Sequence, residues 1–342
     1  MLEKPAIQDE KIVACLLKDY GLSAVHITFL PLGRDINTAV YHIQTPTPNQ
    51  PYLFKLRSGP FNPAAVALPK LLQEQGIAQV IAPLPTTDGR LHAPLNDYNT
   101  ILYPYIEGKN SYEVGLSDEQ WVEFGTAVRR IHTADLPPTL TSTIRQESYS
   151  PQWRQAVKGF LTRIETETFT DPIAAELAAF LKDKRSETLA LIGRAEQLSQ
   201  TVQAQSLEHI ACHADLHAGN VHITAGGTFY IIDWDTLIMA PKERDLMHIG
   251  GDLMGSWRTP QEEETLFYKG YFGGGYGRTA VSHDALSYYR CERILEDIAI
   301  ECQQIISVEG IVEDREQSLY YLKSNYQPGS TIELAFQKPD FS

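Results

Sequence analysis

Few cysteines, few bases and no long apolar run: each shortage in this chain excludes something. Four cysteines occur in 342 residues (Cys15, Cys212, Cys291, Cys302), with no Cys-x-x-Cys pairing. That argues against a disulfide scaffold and for reduced thiols in a cytoplasmic protein. Lysine and arginine number 29 against 43 acids, a formal net charge of −14. A nucleic-acid partner needs a basic face, so that class is disfavoured. An acidic field attracts cationic ligands, although acidity also serves solubility alone. Apolar runs are short and broken by charges, and none approaches the roughly 20 residues of a membrane span. The first residues, Met1-Leu-Glu-Lys-Pro, show no apolar leader core. Asp-Phe-Gly and Ala-Pro-Glu segments are missing too, which speaks against a protein kinase.

The apolar content of 43%, without excess glycine or proline, marks a globular chain, and its length suggests two lobes. Ile12, Val13, Leu16, Leu17 and Tyr20 recur at helical spacing. Strand patterns follow at 25–30, 39–43 and 52–56, then a helix over about 63–75 ending near Gly76, and strands near 79–84 and 99–103. Tyr103-Pro-Tyr105-Ile-Glu-Gly108 breaks this pattern, so the expected division is a small β-rich part, 1–105, and a mainly helical part, 106–342. In the latter, Trp121, Phe124, Val128 and Ile131 form one stripe, and Pro151–Ile164, Ala174–Ser199 and Asp284–Ile306 carry others.

One segment interrupts the helices and carries chemistry. His213-Ala-Asp215-Leu-His-Ala-Gly-Asn220 leads into two short apolar runs, Val221–Thr224 and Phe229–Ile232, joined by Ala225-Gly-Gly-Thr228. This is hairpin chemistry, because glycine takes positive φ without steric cost. A turn centred between Gly226 and Gly227 makes Asn220 and Asp233 partners across the hairpin mouth, with Cα atoms about 4.5–5.5 Å apart. An amide and a carboxylate so placed can share a divalent ion, and Mg²⁺ needs few protein oxygens beyond substrate phosphates. Asp215, on the loop feeding the first strand, would orient a hydroxyl. With an ordinary pKa of about 3.9 it is a weak base, so its role is mainly positioning. Phosphoryl transfer needs this combination of charge neutralisation and aim.

Other pieces have two readings each. Lys55 sits in the strand Tyr52–Leu56 and either points to solvent or reaches phosphate oxygens beside the Gly33–Asn37 loop, whose N–H groups could meet them. The backbone of Tyr103-Pro-Tyr105 can bind a flat base such as adenine or be an ordinary linker. Phe272-Gly-Gly-Gly-Tyr-Gly277 lacks the preceding strand and following Lys-Ser/Thr of a nucleotide loop and reads as a connection. His213, Asp215, His217 and His222 have ligand-like spacing for a metal hydrolase, which leaves Asn220 and Asp233 unexplained. Glu292 and Glu296, one turn apart near Asp297, line a pocket for ammonium groups or belong to a face paired with Arg290 and Arg293.

Together, the His-x-Asp-Leu-His-x-Gly-Asn segment at 213–220 and Ile-Asp-Trp-Asp at 232–235 resemble the signature of the aminoglycoside phosphotransferase family. Three stretches narrow the likeness to its spectinomycin-phosphorylating branch: Tyr149-Ser-Pro-Gln-Trp153-Arg, Ala240-Pro-Lys-Glu-Arg-Asp-Leu-Met247 with Gly250-Gly251, and Tyr288 to Ala299. The resemblance implies an α+β, protein-kinase-like two-lobed fold. It implies ATP as phosphate donor with Mg²⁺, and an acceptor hydroxyl on a cationic aminocyclitol, spectinomycin, hence antibiotic resistance. It makes Asp215 the catalytic aspartate and Asn220 and Asp233 the metal ligands. Lys55 would contact the α- and β-phosphates, Gly33 to Asn37 would cover them, and Tyr103 to Tyr105, with Ile232, would hold the nucleotide. Trp234, Asp235, Glu292 and Glu296 are the acceptor-side candidates, and Asp245 braces the catalytic loop.

One departure stands out. Kinase-like folds pair the strand lysine with a glutamate on the next helix, whereas Pro60 to Pro69 contains no acid and Glu74 is the first candidate. Two further expectations therefore stand beside the first: a kinase of another small alcohol, choline-, homoserine- or sugar-like, and a nucleotide-binding regulatory module with little catalysis.

Overall fold

The computed structural model describes residues 4–33, 37–46, 50–255, 257–274, 281–307 and 311–337. Helix α1 (Asp9–Tyr20) has acids in its first turn and stops at Gly21, whose φ of 67° supplies the left-handed cap. Strands β1 (His26–Leu30), β2 (Thr38–Gln44) and β3 (Tyr52–Ser58) follow, then α2 (Ala64–Glu74), β4 (Ala93–Leu95), β5 (Tyr98–Pro104) and β6 (Lys109–Asn110). Helices α3 (Asp118–His132), α4 (Pro138–Thr141), α5 (Gln152–Thr166), α6 (Pro172–Asp183) and α7 (Arg185–Ala204) come next. Short strands β7 (Ile210–Cys212), β8 (Val221–Ile223), β9 (Phe229–Ile231) and β10 (Ile238–Ala240) precede α8 (Glu243–Leu246), α9 (Pro260–Tyr271), α10 (His283–Ile306), α11 (Val312–Ser324) and α12 (Thr331–Phe336). This is the α+β, kinase-like arrangement of a small antiparallel sheet and a larger helical part.

Two compact units divide these elements. One comprises the chain up to Val114 with Thr133–Arg145 and Gly219–Leu237; the other holds Gly115–His132, Gln146–Ala218 and the chain from Ile238 on. In the first unit the antiparallel sheet runs β1-β2-β3-β5-β4. Alternation sorts its side chains. Tyr41, Phe54 and Leu102 lie in register and bury with Ile12, Leu16 and Tyr20 of α1. The neighbouring row, Val40, Lys55 and Ile101, occupies the opposite face. Lys55 therefore points away from α1, a direction that the sequence left open.

Three expectations need correction. No strand spans 79–84; Val80 and Leu84 make only isolated bridges, because Pro83 and Pro85 cannot donate to a ladder. The fifth strand is β4, joined to β5 through Asn96 at a φ of 52°, which asparagine tolerates. The stretch 174–199 is two helices broken at Lys184, and α6 starts from Asp171, whose side chain caps Ala174 N–H.

The third correction concerns the hairpin. Its turn is centred on Gly226, with Gly227 at a φ of 82° donating to the Thr224 carbonyl at 3.0 Å. A three-residue loop of this kind shifts register by one place relative to the expected turn. Val221 opposes Ile231, and the Asn220 carbonyl accepts the Ile232 N–H at 3.0 Å. Asn220 thus faces Ile232, and Asp233 lies one residue past the ladder.

In the second unit α10 is buried along its length, packing Cys291, Ile294, Leu295, Ile298, Cys302 and Ile305 into one core with α5, α6, α7, α11 and α12. Helices α3 and α9 cross through two glycines. A Cβ built on Gly125 would sit 2.0 Å from the Phe267 carbonyl oxygen, and one on Gly270 1.8 Å from that of Val122. Gly270→Ala is expected to force the helices apart and cost at least about 1–3 kcal/mol. Gly159→Ala on α5, where nothing lies within 4 Å, should leave stability unchanged or raise it. Thermal melts of the two variants check this contrast.

A buried acid in the first turn of α9 adds a pH dependence. Glu263, 3% exposed, accepts the Gly250 N–H at 2.9 Å; burial pushes its carboxyl from 4.5 to about 8. Between those values the folded protein keeps a proton the unfolded chain has released. Stability therefore falls as pH rises through that window, by about 1.4 kcal/mol per unit. Glu263→Gln keeps the oxygen that accepts Gly250 and removes the titration. Its melting temperature should change less between pH 6 and pH 9 than that of the wild type, by calorimetry.

Candidate active site

The lysine cluster lies within the first unit. Lys55 Nζ is 3.0 Å from Asp233 Oδ1 and 2.8 Å from Asp235 Oδ2, and its side chain is 9% exposed. Burial alone would strip its charge, but the two carboxylates outweigh burial and hold its pKa above the ordinary lysine range. Asp233 reaches it from a backbone φ of 63°. In that left-handed conformation strand alternation no longer dictates direction, which is how Asp233 reaches Lys55 despite the shifted register. The Tyr103 phenol lies beside this group, and burial pushes its pKa up. Glu74, the sequence candidate for the lysine's partner, instead pairs with Lys70 at 3.4 Å.

The nucleotide-side candidates are only partly gathered. Tyr105 N–H donates to the Pro51 carbonyl at 3.1 Å, so that hinge group is committed within the fold. Its ring packs edge-on against His42 at 4.5 Å. Gly33 is exposed at a φ of 85°, and the Asn37 carbonyl accepts the Ser58 N–H at 2.8 Å. Residues 34–36 of that loop lie outside the described residues, as do 275–277 of the glycine-rich connection. Asn220 is 8% exposed, Ile232 half-buried and Trp234 4% exposed.

A separate cluster around Asp215 lies within the second unit. The loop after β7 is clamped by Asp245, which accepts the His213 N–H at 3.0 Å and the Ala214 N–H at 2.6 Å. Ala214 sits at a φ of 70°, a conformation costing about 1–2 kcal/mol outside glycine. Two charge-assisted hydrogen bonds, each worth about 1.5–3 kcal/mol, more than offset that. His132 carries the brace outward: its Nε2 meets Asp245 at 2.9 Å and its Nδ1 the Tyr271 hydroxyl at 2.8 Å. Among the described residues, His132, Cys212 and Asp245 form one cluster with metal-ligand chemistry. Both imidazole nitrogens are spoken for, so the cluster is a hydrogen-bonded brace.

Asp215 follows on this loop. Arg293 of α10 donates to its Oδ1, and His217 Nε2 lies 3.4 Å from Oδ2. Burial pushes its pKa up, yet the His217 hydrogen bond and the Arg293 charge prevail and hold it well below the usual carboxylate range. Arg293 also pairs with Asp297 at 3.1 Å. The hydrolase alternative loses one ligand, because His222 Nε2 is 2.9 Å from the Ile106 carbonyl.

Of the two α10 glutamates, Glu292 pairs with Arg154 Nε at 2.7 Å, each side chain 7% exposed. Burial, partly countered by Arg154 and Arg244, pushes the Glu292 carboxyl up to about 7. Glu296 is more open, at 24%, with Arg244 at 4.0 Å. Sequence reasoning missed Arg293 as the partner of Asp215 and Asp235 as the partner of Lys55. Arg293 sat in view beside Glu292, but which acid it meets depends on tertiary packing.

A lysine-bearing antiparallel sheet joined to a helical part with a braced His-x-Asp loop defines a kinase-like phosphotransferase. The chain belongs to the phosphotransferase enzyme family, whose model matches residues 28–281. Its structure is similar to that of spectinomycin phosphotransferase, APH(9)-Ia, in complex with ADP and spectinomycin, with 33% identity and a TM-score of 0.88 over 98% of this chain and 99% of that one. The AMP-bound complex of the same enzyme matches at 32% identity and a TM-score of 0.84, over 97% and 99% of the two chains. Protein StrN of Streptomyces griseus is 25% identical over 192 residues, 54% of this chain and 58% of that protein. The chain thus spans little more than half the length of that curated relative. No helix among the described residues is long and apolar enough to cross a membrane. All four cysteines are free and buried.

Proposed function

We propose that this phosphotransferase moves the γ-phosphoryl group of ATP to a hydroxyl of a cationic aminocyclitol, and that spectinomycin is the acceptor. The observation that carries this reading is the extent of one likeness. The enzyme whose structure holds ADP and spectinomycin is similar over 98% of this chain, which includes both the nucleotide and the acceptor stretches. In this reading residues 1–105 supply the nucleotide-binding part and 106–342 the catalytic and acceptor-binding part.

Lys55 neutralises phosphate oxygens from the face of β3 turned away from α1. Asn220 and Asp233 are a donor set that fits Mg²⁺: an amide oxygen and a carboxylate 51% exposed, both hard ligands. When bound, the ion would offset the charge of the transferring phosphoryl group. Asp215, kept ionised by Arg293 and His217, holds and orients the acceptor hydroxyl and takes its proton late. Glu296, the more open of the two α10 glutamates, is the residue offered to an ammonium group, while Glu292 is balanced by Arg154.

Incubation with spectinomycin, ATP and Mg²⁺, read by mass spectrometry, should give a product carrying one added phosphate. Turnover on choline or ethanolamine with none on spectinomycin would discard the acceptor and keep the enzyme class. Tight nucleotide binding without turnover on any alcohol would favour a regulatory module.

A further inference from the structure

We propose that Asp235 is the positioning residue for Lys55, standing in for a helix glutamate, since Glu74 of α2 is turned to Lys70. The proposal rests on the reading above, in which Lys55 meets the phosphates of ATP.

Helix α2 has nothing to offer the lysine. Its exposed Glu74 is turned to Lys70, and its buried positions are Ala64, Ala65, Val66, Leu68, Pro69 and Leu72. A lysine ammonium 9% exposed still requires a counter-charge, since an unpaired buried cation costs several kcal/mol. Two carboxylates flank it, and they differ in how firmly they are placed. The Asp233 side chain is 51% exposed, whereas that of Asp235 is 23% exposed. Asp235 is also the carboxylate nearer to Lys55, and it has a second cation, Arg57 Nη1, at 3.6 Å. Arg57 is itself anchored, because its Nη1 donates to Thr38 Oγ1 on the neighbouring strand at 2.8 Å. Asp235 is therefore fixed between two basic side chains of one strand, two residues apart on one face. Asp233, half exposed and carried on a left-handed residue, is the carboxylate that the proposed metal role draws toward another cation. When Asp233 turns, Asp235 remains to hold Lys55 in place. In this proposal Asp235 acts on the lysine.

The test is a double-mutant cycle with separate kinetics for the two substrates. Asp235→Ala should raise the KM for ATP and weaken ADP binding about tenfold or more, with the KM for the acceptor changed less than twofold. Asp235→Glu, which keeps the charge, should recover part of the loss. In a Lys55→Ala background, Asp235→Ala should cost nothing further, because Asp235 acts only through the lysine. A selective rise in acceptor KM with unchanged ADP affinity would overturn the proposal, as would full additivity of Lys55→Ala and Asp235→Ala. Unaltered melting temperatures separate these outcomes from misfolding. Wild-type protein that binds no ADP would instead sink the nucleotide reading itself.

Discussion

Asp215→Asn should lower phosphoryl transfer by about 10²–10⁴-fold, the range seen when a positioned proton acceptor is removed. ADP affinity and melting temperature should stay near wild type. Asparagine has the shape of aspartate and keeps one oxygen for the Arg293 guanidinium. Arg293 also keeps Asp297 at 3.1 Å, so the variant leaves no cation stranded. The loop itself is held by Asp245 through the His213 and Ala214 N–H groups, and neither bond involves the Asp215 side chain. What disappears is the negative charge that, in the proposed reading, aims the hydroxyl. Single-turnover kinetics measures the loss, and turnover within tenfold of wild type would remove Asp215 from the mechanism. Because Arg293 and His217 keep Asp215 ionised, its own titration should not set an acid limb in the activity profile at mildly acid pH.

Asp233→Asn is the second large effect, a drop of about 10²–10³-fold, the size of effect seen when one preorganised element of transition-state charge stabilisation is removed. Asparagine is the informative replacement here. The backbone φ of 63° is one that asparagine accepts, whereas Asp233→Ala would add strain unrelated to chemistry. The variant keeps an oxygen ligand but loses its charge, so it should need more Mg²⁺ to reach half-maximal rate. ADP affinity should also lose most of its Mg²⁺ dependence. Titrating activity against Mg²⁺ measures the first effect and calorimetry the second. An unchanged Mg²⁺ activation curve would take Asp233 out of the metal role.

Local chemistry made much of the fold legible. The acids opening α1 and the glycine closing it, the stripe Trp121, Phe124, Val128 and Ile131, and the alternation of β2 and β3 each state an element within a few residues. Where expectation and structure part, the deciding contact is not local. Residues 79–84 have strand-like side chains, but two prolines remove the donors. Lys184 splits a stretch whose apolar period continues across the break. In the hairpin, a three-residue turn changed every partner, and Asp233 reaches Lys55 from its own left-handed backbone. The partners of Lys55, Asp215 and Glu292 lie 180, 78 and 138 positions away in the chain. Spacing showed which residues carry charge, and only packing shows which opposite charge each one meets.

With Lys55 meeting nucleotide phosphates as proposed, its clasp sets how nucleotide affinity responds to salt. Its ammonium is sated before any nucleotide arrives, so a phosphate reaching it displaces an anion already there. Binding then becomes an exchange of ligands around a fixed cation. Dissolved salt screens the departing carboxylate and the arriving phosphate alike, so affinity at this lysine should depend less on ionic strength than its charge suggests.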